Sequence, residues 1–89
     1  MEDKLEKQEH IIMYTTAWCG DCRRAKEFFA YHEIEYVNID IDKEPRGAEF
    51  VKRVNNGNRS VPTIIFPDGT KMVEPSSWDL AEKLGVKFE

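Results

Sequence analysis

Cys19 and Cys22 are the residues with the most chemistry to offer. The chain holds two cysteines, and both fall in one Cys-x-x-Cys, Cys19-Gly20-Asp21-Cys22. A spacing of three is close to one helical turn, so the two sulfurs can meet if the pair opens a helix. A thiol attacks a disulfide as its thiolate, and a helix N-terminus favours that anion through its unpaired N–H groups and its dipole. Cys19, at or just before such a start, is the expected nucleophile. Cys22, one turn inside, is the expected resolving thiol. Asp21 opposes the dipole if it faces the sulfur, and Arg23 and Arg24 oppose Asp21 in turn. Exposed charges are screened, so the backbone donors, at contact distance, are expected to prevail.

The same pair could instead be half of a zinc or iron–sulfur site, or two inert thiols. Two cysteines fall short of a closed four-ligand zinc site unless histidines or a second chain contribute. His10 and His32 lack ligand-like spacing to them, so no metal ligand is assigned. A Cys-x-x-Cys beside a strand–helix–strand pattern is the redox signature.

The elements that must position the dithiol follow from periodicity. Ile11–Thr15 is a short β-prone run ending in a loop. After Cys22 the period changes: Ala25, Phe28, Phe29 and His32 stand at i, i+3, i+4 and i+7, a helix with one core face. Glu35–Ile41 reads as a second strand with Val37, Ile39 and Ile41 facing one way. Pro45 suits the first turn of a helix running to about Val54, with Ala48, Val51 and Val54 inward. Asn55-Asn56-Gly57-Asn58 imposes a loop. Val61-Pro62 leads into a third strand, Thr63–Phe66, and Pro67-Asp68-Gly69-Thr70 turns the chain into a fourth, Lys71–Val73. Ser76 or Ser77 caps a last helix that buries Leu80 and Leu84 and ends at Gly85. The order βαβαββα makes the first two strands parallel and the hairpin antiparallel, an α/β architecture with helices on both faces of a small mixed sheet.

At 89 residues, 40% hydrophobic and 34% charged, the chain suits one globular domain over 11–89, preceded by a charged tail over 1–10. No apolar run approaches the roughly 20 residues that span a bilayer. The charged opening MEDKLEKQEH is unlike a signal peptide, so a cytoplasmic location and no membrane partner are expected. A net charge of −4 argues against nucleic acid as a partner.

Thr15-Thr16-Ala17-Trp18-Cys19-Gly20-Asp21-Cys22, then Val61-Pro62-Thr63 before a strand, then Asp68-Gly69, resemble a glutaredoxin over about Ile11 to Leu84. Within that family, Asn55-Asn56-Gly57-Asn58-Arg59-Ser60-Val61-Pro62-Thr63, Phe66 and Glu74-Pro75-Ser76 are similar to the loop, strand and turn pattern of mycoredoxins, the actinobacterial branch. The resemblance implies a thioredoxin fold with a four-stranded mixed sheet and with Pro62 in cis, turning the Val61 backbone toward a bound thiol. It implies a thiol–disulfide oxidoreductase acting on mixed disulfides between proteins and a low-molecular-weight thiol. It implies that this thiol is a co-substrate rather than a tightly bound cofactor, with a flavin disulfide reductase upstream; a monomer is the default expectation.

This chain departs from the family in three places. The Gly-Gly pair that accompanies glutathione binding is replaced by Val73-Glu74-Pro75-Ser76-Ser77-Trp78-Asp79, which suits a different low-molecular-weight thiol; mycothiol is expected first, otherwise glutathione or bacillithiol. The Lys often found before the first Cys is absent, with Thr15, Thr16 and Ala17 in its stretch. Gly20-Asp21 stands where a mycoredoxin has Gly-Tyr, which exchanges a ring for a charge beside the substrate.

Beside the dithiol, the expected substrate-binding set is Trp18, Gly20, Asp21, Arg59, Val61, Pro62, Ser76 and Ser77. Trp18 belongs to an apolar rim for partner proteins, and Arg59 to the grip on the thiol's carboxylate or sugar. Ser76 and Ser77 are helix caps whose free N–H groups can also receive an anionic group. Tyr14, Tyr36 and Trp78 are expected to be structural. Two other functions compete: a thioredoxin-like dithiol donor, for example to ribonucleotide reductase, and an iron–sulfur carrier sharing a cluster between two chains through Cys19.

Overall fold

The structure, a computed structural model, describes residues 9–87. Its elements are β1 (Ile12–Thr15), α1 (Gly20–Tyr31), β2 (Val37–Asp40), α2 (Pro45–Val54), β3 (Thr63–Ile65), β4 (Lys71–Val73) and α3 (Ser77–Leu84). The strands form one sheet in the order β2-β1-β3-β4. β1 pairs parallel with β2, and antiparallel with β3, which pairs antiparallel with β4. This is the mixed sheet expected from the order of elements. Of the tail expected over 1–10, residues 1–8 lie outside the described residues, and Glu9 and His10 are exposed.

The period of two along β1 and β3 divides the core. Met13 and Ile64 point to one face, where Ala25, Phe28 and Phe29 of α1 meet Leu80 and Ala81 of α3. Tyr14 and Ile65 point to the other, under Phe50 and Val51 of α2. Helices therefore cover both faces. Among the described residues no helix is long and apolar enough to cross a membrane.

Several expectations need adjusting. β2 begins at Val37, where the ladder with Ile12 starts. Val37 is 42% exposed, because it sits at the open end of an edge strand; of its expected companions only Ile41 is fully buried and Ile39 is half-buried. On α2, Val51 is buried but Ala48 and Val54 only partly so. Phe50 takes the larger share by stacking on Tyr14 with ring centroids 5.0 Å apart. Gly47 is buried too: a Cβ there would lie 2.9 Å from Ile39 Cγ2, so its missing side chain lets α2 press onto the sheet. His32 is half-buried and closes α1 as its C-cap, its ring 4.4 Å from that of Phe28. Tyr14 is buried and Tyr36 packs edge-on against Phe29, but Trp78 is 63% exposed: α3 turns it outward while Leu80 and Ala81 take the core.

Candidate dithiol site

β1 carries the chain up to the site and α1 begins there. Cys19 is the N-cap of α1, in extended backbone conformation at φ −89° and ψ 120°. Its Sγ accepts the backbone N–H of Cys22 at 3.0 Å, as an N-cap oxygen does in other helices. The same sulfur lies 3.8 Å from the carbonyl oxygen of Val61, toward which its S–H is directed. Cys19 is half-buried; Cys22 is 1% exposed. Burial, with the nearby Cys19 sulfur adding to it, pushes the Cys22 thiol up to about 12. The backbone of Thr16 and the charge of Lys26 pull the other way and are outweighed.

The floor of the site is the loop before β3. The Val61–Pro62 bond is cis, and Pro62 is fully buried. Three residues hold this loop. The Thr63 hydroxyl donates to the Ser60 carbonyl at 2.7 Å and accepts from Asn55 Nδ2 at 3.0 Å. Lys71 Nζ caps the end of α2 by donating to the Val54 carbonyl at 2.6 Å and to Asn55 Oδ1 at 3.2 Å. The Glu74 N–H donates to the Pro62 carbonyl at 2.8 Å, which ties the segment entering α3 to the loop.

The rim is organised by a residue that the motif reading passes over. Asp42, just after β2, accepts from Trp18 Nε1 at 3.0 Å through one carboxylate oxygen and from Arg59 at 2.9 Å through the other. The Arg59 guanidinium first, and the Trp18 indole second, hold its carboxyl below the usual carboxylate value. Three loops, β1–α1, β2–α2 and α2–β3, thus meet at one side chain. Trp18, the chain neighbour of Cys19, is 73% exposed.

The remaining expected residues divide. Gly20 is exposed, and a Cβ there would meet nothing within 4 Å, so its face of the helix start is open. Asp21 pairs with Arg24, one turn on, rather than standing as a lone charge. The Ser76 hydroxyl accepts from the Asp79 N–H at 3.0 Å, and Asp79 Oδ2 accepts the Ser76 N–H at 3.1 Å. This capping box fixes Ser76 as the N-cap of α3. Ser77 is half-buried in the first turn of α3. Neither serine is hydrogen-bonded to the dithiol; the Glu74–Pro62 backbone bond ties their segment to the loop before β3.

Among the described residues no group of three or more His, Cys, Asp or Glu side chains is placed to hold a metal ion. A depression of about 570 Å³ lies between β2 and α2, lined by residues that include Tyr14, Ile39, Arg46 and Phe50 but neither cysteine.

Comparison with known proteins agrees with this geometry. Residues 11–71 match the family model for glutaredoxin. A glutaredoxin-like protein of Mycobacterium tuberculosis is 43% identical over 74 residues, covering 83% of this chain and 88% of that one. Mycoredoxin 1 of Corynebacterium glutamicum is 36% identical over 75 residues, 84% of this chain and 92% of that one. Among solved structures, a single-residue variant of a thioredoxin-like protein superposes with a TM-score of 0.78 at 21% identity, over 90% of this chain and all of that one.

Proposed function

The chain belongs to the glutaredoxin family of thiol–disulfide oxidoreductases, and from that premise we propose that Cys19 reduces mixed disulfides between client proteins and a low-molecular-weight thiol, mycothiol first among them. The observation that carries the reading is the asymmetry of the dithiol. Cys19 is partly open and receives a helix N–H on its sulfur, whereas Cys22 is buried and stays protonated at neutral pH.

The steps balance in electrons and sulfur. The Cys19 thiolate attacks the small-thiol sulfur of the mixed disulfide, the client leaves as a reduced thiolate, and Cys19 holds the small thiol in a new disulfide. A second small thiol then attacks that bond, forming the small-molecule disulfide and restoring Cys19. Alternatively Cys22, after losing its proton, attacks Cys19 Sγ, expels the small thiol and leaves a Cys19–Cys22 disulfide for a flavin reductase to reduce. Within this reading Val61 and Pro62 face the substrate's peptide-like part, Trp18 meets the client, and Gly20 leaves room above the sulfur. Asp21 and Arg59 set the charge at the entrance, and Ser76 and Ser77, at the start of α3, complete the substrate-binding set. The reading is of a monomer working in the cytoplasm, its domain over 11–89.

Mycothiol is supported by the likeness to mycoredoxin 1 and by the Val73–Asp79 stretch, which lacks the Gly-Gly pair of glutathione binders. The test is turnover of a protein–mycothiol and a protein–glutathione mixed disulfide by wild type and by Cys22→Ser. The reading predicts that Cys22→Ser still works and prefers mycothiol. A variant dead on both, beside a wild type that reduces ordinary protein disulfides, favours a thioredoxin-like donor instead.

A further inference from the structure

We propose that Asp42 is a specificity-determining residue: by occupying Arg59 it disfavours thiols that carry carboxylates and leaves the site to uncharged ones. The proposal rests on the mixed-disulfide reading above and names what selects the small thiol.

Arg59 stands two residues before Val61, whose carbonyl is 3.8 Å from the Cys19 sulfur. A guanidinium carried by the loop whose carbonyl faces the Cys19 sulfur is a natural receptor for a ligand carboxylate. Here the chain supplies that carboxylate itself, at 2.9 Å, from the loop after β2. The other Asp42 oxygen is taken by Trp18, the covalent neighbour of Cys19. Asp42 therefore joins Trp18 to the Arg59 loop, with one oxygen directed to each. The acidic group of the motif itself, Asp21, is matched by Arg24. An incoming glutathione, with a carboxylate at each end, must either displace Asp42 from Arg59 or approach an existing negative charge. A sugar-based thiol without a carboxylate meets neither obstacle and can use the same groups as hydrogen-bond partners. Arg59 and Asp42 are both partly exposed, so the discrimination is modest, about three- to fivefold, in keeping with a screened surface pair.

The test uses exchange rather than enzyme turnover. In the Cys22→Ser background, the Cys19 thiolate reacts with a symmetrical disulfide RSSR to give Cys19–S–S–R and one RS⁻. The equilibrium constant is read by intact-protein mass spectrometry for glutathione disulfide and for uncharged hydroxyethyl disulfide. Asp42→Asn keeps the shape and a hydrogen-bonding oxygen but removes the charge. We expect the glutathione-to-hydroxyethyl ratio to rise about three- to fivefold, and the gain to disappear at about 1 M salt, where the Debye length is about 3 Å. An unchanged ratio overturns the proposal, as does a loss of both adducts in equal measure, which identifies Asp42 as a plain structural clamp on Trp18. If Cys19 of the parent protein forms no adduct with either disulfide, the functional reading fails and takes the proposal with it.

Discussion

The Sγ of Cys19 receives the backbone N–H of Cys22 at 3.0 Å, while the Cys22 thiol itself is 1% exposed inside α1. One residue supplies the donor that steadies the other's sulfur, and the two thiols of a single motif acquire opposite characters. Native labelling separates them. At neutral pH iodoacetamide is expected to add one carbamidomethyl group per chain, on Cys19, and to reach both cysteines only after unfolding. Peptide mapping of the alkylated protein checks this; label on Cys22 of the native chain contradicts it.

The buried thiol also fixes a pH dependence. Burial raises Cys22 to about 12 in the dithiol form, far above the free-cysteine value of about 8.5. Once Cys19 is in a mixed disulfide its sulfur no longer carries charge, but the burial remains. Ring closure by Cys22 needs the thiolate, and a raised value means that fraction is small at pH 7 and grows with pH. Stopped-flow measurement of small-thiol release should show closure accelerating by about tenfold per pH unit from pH 6 to 8. A plateau below pH 8 would mean that Cys22 is already ionised.

The Val61–Pro62 loop depends on a hydroxyl two residues from Val61. Thr63 is fully buried and bridges Asn55 Nδ2 and the Ser60 carbonyl. Thr63→Val keeps the shape but strands both partners, so it should cost about 1–3 kcal/mol in urea unfolding. Turnover should fall with it, because the carbonyl opposite Cys19 belongs to the same loop.

Asp68 ties the β3–β4 turn to α3. Its carboxylate accepts from Lys83 Nζ at 2.9 Å and from the Thr70 hydroxyl and N–H at 2.7 Å and 3.0 Å. The Lys83 bond first, then those of Thr70, hold its carboxyl well below the ordinary value of 3.8. A depressed folded-state value stabilises the protein above the unfolded value, and that stabilisation is lost as pH falls through the folded one. Asp68→Asn should therefore be less stable than wild type at pH 7, and thermal melts of the two should converge as the pH is lowered below 3.8. A gap independent of pH would show that the charge contributes nothing.

What was legible in the sequence was local. Cys19 and Cys22 announce themselves by spacing, Pro45 and Gly85 mark a helix start and a helix end, and Pro67-Asp68-Gly69-Thr70 places the hairpin; all four lie where expected. Asp42 did not stand out, because its importance comes from Trp18, 24 residues away, and Arg59, 17 residues away, and no periodicity encodes such a meeting. Asn55 looked like one more loop residue until the fold buried it against Thr63. Gly47 has no side chain to register in an apolar pattern, and its role lies in the space it leaves for Ile39. Trp78 shows the same dependence on the fold: helical phase sets Leu80 and Ala81 inward and turns its ring outward.

The most direct test of the central claim is a single-turnover trap. Cys22→Ser, reduced, is mixed with one equivalent of a protein–mycothiol mixed disulfide, quenched with acid and weighed by intact-mass spectrometry. The mechanism predicts a free client and a variant carrying one mycothiol, mapped to Cys19. A covalent client–Cys19 complex with free mycothiol, or a client that keeps its mycothiol, would contradict it.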